Sequence, residues 1–228
     1  MQYIKRFWPL YLIVACVFVA VSLGTDQVVT TIAENSPLPR AHTIIIDAGH
    51  GGEDGGAVSC TGVYESAINL EISLRLADLC HLLGWKTVMI RTTDISVYKE
   101  GSSLSAKKAS DLRQRVKIVN QTENGILLSI HQNTYTDSRY SGAQVFYAPT
   151  SGSKELAMLM QTNLNFTDDR KIKAATGVYL MQHIQKVGIL VECGFISNEA
   201  EEARLRADDY QKKLCCAMVD ALGKYINA

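Results

Sequence analysis

The sequence carries no excess of charge of either sign. Lys plus Arg number 23, Asp plus Glu number 23, and the formal net charge is zero. The basic patch or stripe of a nucleic-acid-binding domain is therefore not indicated, and no nucleic-acid partner is expected. Cysteines are few and badly placed for a framework. Of six, Cys16 falls in an N-terminal apolar run, leaving Cys60, Cys80, Cys193, Cys215 and Cys216, an odd number with no C-x-x-C pair. They read as small buried hydrophobes in preference to disulfide partners. Cys215 and Cys216 are neighbours on an expected helix and point apart. Internal repeats and low-complexity tracts are lacking, and no second module is expected after the main domain. What remains, 47% hydrophobic and 20% charged residues in 228, suits a single globular domain with one sizeable core.

The long apolar run that is present lies at the N-terminus. Lys5 and Arg6 precede Phe7–Leu23, which is near the minimum length for a membrane span. It also fits the basic and apolar regions of a signal peptide, with Ala20-Val21-Ser22 as a small-residue cleavage site. Residues 1–24 are accordingly expected to be a signal peptide or a retained membrane anchor, with the balance towards an anchor. Positive charge ahead of the run directs the chain beyond it outward, so the domain is expected to be extracytoplasmic. Residues 25–41 are polar, contain Ser36-Pro37-Leu38-Pro39, and read as an extended linker.

From residue 42 to 228 apolar runs alternate with helical periodicities. Thr43–Asp47, Lys86–Arg91, Ile126–Ile130, Ala143–Tyr147 and Gly188–Val191 read as strands, and Val178–Met181 as a further short one. Tyr64–Leu83 has Ile68, Ile72, Leu76, Leu79 and Leu83 at roughly helical spacing and is closed by Gly84. Leu104–Thr122, Lys154–Leu164, Ala200–Arg206 and Asp208–Ile226 also read as helices. This alternation predicts an α/β domain with a mostly parallel sheet covered on both faces.

Three of the predicted strands run into polar residues. Ile46-Asp47 leads to Ala48-Gly49-His50-Gly51-Gly52, Ser129-Ile130 to His131-Gln132-Asn133, and Leu190-Val191 to Glu192-Cys193-Gly194. Ligands of open α/β sheets bind beyond the carboxyl ends of the strands, so His50, His131 and Glu192 are candidates to meet at one rim. Glu65, in the first turn of the helix after the glycine loop, starts from the same rim. Two histidines and a glutamate form a known catalytic zinc set with a fourth position left for water. A further carboxylate can move that water's proton to a leaving nitrogen, so four such residues suffice for amide hydrolysis.

Each residue also has a plainer explanation. A histidine after a strand is often structural, and Glu65 could serve only the helix dipole. A carboxylate such as Glu192 at the end of an apolar strand is costly unless paired or functional. No H-E-x-x-H places two ligands close together. The strand, glycine loop and helix also match a dinucleotide-binding layout, but Asp54 stands where the third glycine belongs, and Glu53 and Asp54 would repel a pyrophosphate. No G-K-[ST] supports a phosphate loop.

At these residues the sequence resembles the zinc-dependent N-acetylmuramoyl-L-alanine amidases, bacterial cell-wall hydrolases. The segments that carry the likeness are Ile46–Gly52, Asp54-Gly55-Gly56-Ala57, Glu65 with Asn69-Leu70, Arg91–Asp94, Ser129–Asn133 and Val191–Asn198. It extends from about Thr43 to Ile226 in the family's order. The resemblance implies that His50, Glu65 and His131 bind Zn²⁺, that Glu192 is the catalytic acid/base, and that about six strands are flanked by helices. It implies a peptidoglycan substrate, cut between N-acetylmuramic acid and L-alanine.

Two departures stand out. Gln182 replaces the family's usual arginine on the penultimate strand, in a position to alter a substrate contact, and Val187-Gly188 replaces a common proline. No long autoinhibitory insertion is evident. The small domain, the apolar N-terminus and Val191–Phe195 are similar to the anchored amidases of spore-formers, which act on the cortex so that muramic δ-lactam can form. That similarity implies action at the outer side of the forespore membrane, with an activating protein partner as a further expectation. A silent peptidoglycan-binding module on the same fold and a zinc carboxypeptidase acting on wall peptides remain the alternatives.

Overall fold

The structure, a computed structural model, describes residues 42–166 and 168–228. The predicted anchor or signal peptide (1–24) and linker (25–41) lie outside the described residues. Among those described, no helix is long and apolar enough to cross a membrane.

Six strands form one sheet: β1 (Thr43–Ala48), β2 (Lys86–Met89), β3 (Gly125–Asn133), β4 (Gln144–Tyr147), β5 (Lys173–Ala174) and β6 (Val187–Phe195). Their order is β2-β1-β3-β6-β4-β5. The four strands from β2 to β6 run parallel, and β4 pairs antiparallel with β6 while running parallel to β5. Six helices cover it: α1 (Glu65–Leu82), α2 (Leu104–Gln121), α3 (Ser153–Leu164), α4 (Tyr179–His183), α5 (Glu199–Leu205) and α6 (Asp208–Ile226).

The central strands are continuous apolar runs because both faces are covered. Along β1, Ile44 and Ile46 face one way and Ile45 the other. The first face joins Ile126, Leu128, Ile189 and Val191 to Ile68, Ile72 and Leu76 of α1, Leu156 and Met160 of α3, and Leu214 and Met218 of α6. The second joins Ile45, Leu127 and Leu190 to Val119 of α2 and to Leu180 and Met181 of α4. Truncating a fully buried residue such as Leu128 to alanine would cost about 2–5 kcal/mol.

The helix ends follow local chemistry. Ser103 caps α2 by accepting the Ala106 N–H, and Gly84 takes φ 74° just beyond α1. Cys80, Cys193 and Cys215 are buried free thiols, as expected of small hydrophobes, whereas Cys60 and Cys216 are exposed.

One predicted strand is absent. Val178–Met181 does not join the sheet; Val178 is the extended residue before the short helix α4. Leu180, Met181 and Ile184 are buried there on one side of a single turn. Tyr179 and His183, four residues apart, stack with ring centroids 4.0 Å apart. Over four residues an apolar run does not distinguish the two conformations. The sixth strand is instead the short edge strand β5, whose two residues are exposed and carry no apolar signature.

The connection after β1 places β2 on one side and β3 falls on the other, so the chain direction in the sheet divides between β1 and β3. A crevice opens at such a point beyond the carboxyl ends of the strands. The β3–β6 ladder also shifts register there: His131 pairs with Glu192, but Asn133 pairs with Phe195. Two β6 residues thus oppose one on β3, a bulge that re-aims the side chains beside the crevice.

Candidate metal centre

The crevice holds the side chains that the strand ends nominate. His50 follows β1 with φ 61°, a left-handed conformation uncommon outside glycine. Its Nε2 lies 3.4 Å from Glu65 Oε2. His131, near the end of β3, places Nδ1 3.0 Å from Glu65 Oε1. The two imidazoles meet edge to face, with centroids 5.0 Å apart. Ligand atoms from His50, Glu65 and His131 all lie within 4.8 Å of one another.

Glu65 is the hub. Its Oε2 accepts the Ala57 N–H at 3.0 Å, and its Oε1 accepts the Asn69 side-chain N–H and the Gln132 backbone N–H, each at 3.1 Å. Burial alone would raise its pKa, but the hydrogen bonds and charges of His131 and His50 hold the carboxyl well below the usual range. Burial alone would lower the His50 pKa; Glu65 first and Asp54 second raise it instead. Glycine is required where the loop presses on these groups. A Cβ at Gly56, which has φ 71°, would stand 2.6 Å from Glu65 Oε2, and one at Gly49 would overlap the His131 ring.

Glu192 stands beside the triad as the ladder partner of His131. Its Oε2 is buried and has no hydrogen-bond partner among the described residues. Burial pushes its pKa up to about 7; the charge of His131 opposes this, that of Glu65 adds to it, and that of His50 opposes it. A sealed acceptor without a donor is uncommon in a folded interior and demands an explanation. His50, His131 and Glu192 border a cleft of about 260 Å³, which continues between Leu112 of α2 and Val178 and Leu180 at α4.

Several residues that build the site are not among the ligands or catalytic groups expected from the sequence. Arg91 is buried and spends its guanidinium on carbonyls: Ala48 at 2.8 Å, Gly49 at 3.0 Å, Ser66 at 2.8 Å and Thr93 at 3.1 Å. Arg115 donates to Ala48 O at 3.1 Å and His50 O at 2.8 Å, and pairs with Asp47 and Asp111. Asp54 meets His50 Nδ1 at 3.0 Å. A buried arginine set on backbone carbonyls leaves no local pattern, because its partners are remote in sequence. Gln182 is exposed on α4 and donates to Ala175 O at 3.3 Å.

The donor set fits zinc. The ion prefers imidazole nitrogen and carboxylate oxygen, and tetrahedral ligands about 2.0–2.2 Å from it stand roughly 3.3 Å apart. One ligand atom from each residue lies within 4.8 Å of the other two, and the histidines approach the two oxygens of Glu65 separately, His50 Nε2 at 3.4 Å from Oε2 and His131 Nδ1 at 3.0 Å from Oε1. Asp47, Asp54, Asp111 and Glu192 line the cleft together with Lys108 and Arg115.

Known proteins share this sequence pattern and fold. The chain is 37% identical over 194 residues to the germination-specific N-acetylmuramoyl-L-alanine amidase of Bacillus subtilis, covering 82% of this chain and 81% of that protein. It is similar in structure to the CwlD amidase of Clostridioides difficile, solved in complex with the GerS lipoprotein, with 36% identity and a TM-score of 0.78 over 82% of this chain and 98% of that one. The catalytic domain of CwlV, the amidase from Bacillus (Paenibacillus) polymyxa var. colistinus, superposes with a TM-score of 0.70 at 28% identity, covering 82% of this chain and 98% of that one. Residues 44–224 match the sequence profile of one family, and the chain belongs to it: the N-acetylmuramoyl-L-alanine amidases.

Proposed function

We propose that this chain is a zinc amidase that hydrolyses the bond between the lactyl group of N-acetylmuramic acid and L-alanine, with His50, Glu65 and His131 holding the metal and Glu192 moving the proton. The observation that carries this reading is the sealed, unpartnered Glu192 Oε2 beside a cluster of three convergent ligands.

Zinc in such a cradle acidifies a water and polarises a carbonyl oxygen. Glu192 takes the proton of the attacking water and delivers it to the leaving nitrogen, so the products are a lactyl carboxylate and the free amine of L-alanine. Glu65 is held in place by the hydrogen bonds it accepts from Ala57, Asn69 and Gln132. Arg91 and Arg115 fix the carbonyls of the loop that presents His50. The cleft between α2 and α4 admits the substrate from one side of the sheet.

The relatives support a finer setting. One is named as germination-specific, and another was solved with a lipoprotein. We read the substrate as peptidoglycan, in the spore cortex, where removal of stem peptides frees muramic acid to close its δ-lactam. The site of action is then outside the cytoplasm, at the outer side of the forespore membrane, with residues 1–24 as signal or anchor and a protein partner engaging the domain.

The test is digestion of purified peptidoglycan by the full-length protein, with and without a chelator, read by mass spectrometry. Release of intact stem peptides that a chelator stops and zinc restores is the expected result. Loss of a single terminal amino acid would make the protein a carboxypeptidase. Bound zinc with no peptide released would make it a binding module.

A further inference from the structure

Asp54 has no part in the chemistry proposed above, yet its placement is specific. His50 has two ring nitrogens, and only Nε2 faces Glu65. The other, Nδ1, lies 3.0 Å from Asp54 Oδ2. A carboxylate can only accept, so the proton of this hydrogen bond sits on Nδ1. Nε2 faces the carboxylate of Glu65; with a cation between them in place of a shared proton, the proton on Nδ1 leaves Nε2 its lone pair for the ion, which is the tautomer a metal requires.

Asp54 is itself fixed from two directions. Its backbone forms a two-way bridge with Gly51, Gly51 N–H to Asp54 O at 2.8 Å and Asp54 N–H to Gly51 O at 3.3 Å. Its Oδ2 also receives Lys108 Nζ at 3.0 Å. The adjacent Glu53 receives Lys107 Nζ at 2.7 Å, so two consecutive lysines of α2 grip two consecutive acids of the loop. The same helix supplies Arg115, which donates to the His50 carbonyl. One helix therefore holds both the backbone of His50, directly, and its ring, through Asp54.

We infer that Asp54 is a positioning residue of the metal centre: it accepts the His50 Nδ1–H and so sets the rotation and tautomer of that ring, and Lys108 steadies it. This rests on His50 being a ligand. Outer partners of this kind affect metal affinity by about 10- to 100-fold. Lys108 is half-exposed, so its own contribution is small.

The experiment measures the zinc dissociation constant of the full-length protein in detergent, by competition with a chromophoric chelator, for the wild type and for H50A, D54A, D54N and K108M. Circular dichroism reports folding of each. D54A is expected to weaken zinc about 10- to 100-fold. D54N keeps an acceptor oxygen and is expected to recover most of that loss, a rescue that a merely structural role would not give. K108M is expected to weaken zinc by less than about fivefold. Wild-type affinity in D54A, when H50A has lost zinc, overturns the inference. Wild-type affinity in H50A overturns the assignment of His50, and the inference with it. If D54A does not fold, nitrogen-15 spectra of the zinc-loaded wild type decide: a proton on Nδ1 of His50 is expected, and one on Nε2 overturns the proposal.

Discussion

Arg115 Nη1 donates to Asp47 Oδ1 at 2.5 Å, and the two side chains are 3% and 1% exposed. Asp47 ends the apolar run of β1, and Ser129 Oγ donates to its second oxygen at 2.7 Å. The pair lies directly under the loop that carries His50. A charge pair sealed in this way is expensive to break, because removing one member leaves the other charged and buried.

Replacing Arg115 with methionine is therefore predicted to lower stability by about 3–5 kcal/mol. Urea denaturation of the zinc-free protein measures it. The same variant frees the His50 carbonyl, so zinc affinity should fall as well.

The pair also fixes the sign of an acid limb. Burial alone would raise the Asp47 pKa, but Arg115 and then Ser129 bring it below the ordinary carboxylate range. A carboxyl whose pKa is lower folded than unfolded contributes stability that is complete above the unfolded value. That contribution is lost as pH falls through the folded one. Stability is thus predicted to decline below about pH 4. In Asp47→Asn, less stable throughout, the slope over that range should be shallower. Denaturation midpoints between about pH 2 and 6 test this, and an unchanged slope would contradict it.

Gly56 gives a prediction that separates binding from folding. A Cβ there would stand 2.6 Å from Glu65 Oε2 and 2.8 Å from His50 Cδ2, at φ 71°. Gly56→Ala should displace the hub carboxylate, and zinc affinity should fall by more than the denaturation free energy accounts for. Calorimetric zinc titration beside urea denaturation measures both, and unchanged zinc binding would contradict the placement of Glu65.

Glu192→Gln keeps the size of the side chain and removes its ability to take a proton. Turnover on peptidoglycan is predicted to fall by about 10²- to 10⁴-fold while zinc content stays that of the wild type. His131→Ala is predicted to lose both. Assay of released peptide together with metal analysis on the same preparations distinguishes the two outcomes.

Much of the fold is legible in the residues. Thr43–Asp47, Ile126–Ile130 and Gly188–Val191 are buried parallel strands, and they read as such because they are nearly continuous apolar runs, broken within only by the small Ser129. Polar side chains beyond such runs stand out, so the meeting of His50, His131 and Glu192 can be anticipated. Glu65 can be anticipated from its place at the start of α1. The supporting residues cannot. Arg91 and Arg115 act on residues up to 43 and 68 positions away, which no local pattern encodes. Asp54 reads in the sequence as an acid that spoils a nucleotide loop and as part of a family-like segment, but not as a partner of His50, because that contact depends on a bridge that forms in the fold. Val178–Met181 misleads for the opposite reason: its apolar run is local, but too short to tell strand from helix.

The most direct test of the central claim is anomalous scattering at the zinc edge from crystals of the zinc-loaded protein. A single peak is predicted within about 2.0–2.2 Å of one nitrogen each of His50 and His131 and one oxygen of Glu65, with Glu192 outside that sphere. A peak at any other place, or one that Glu192 ligates in place of Glu65, would contradict the assignment.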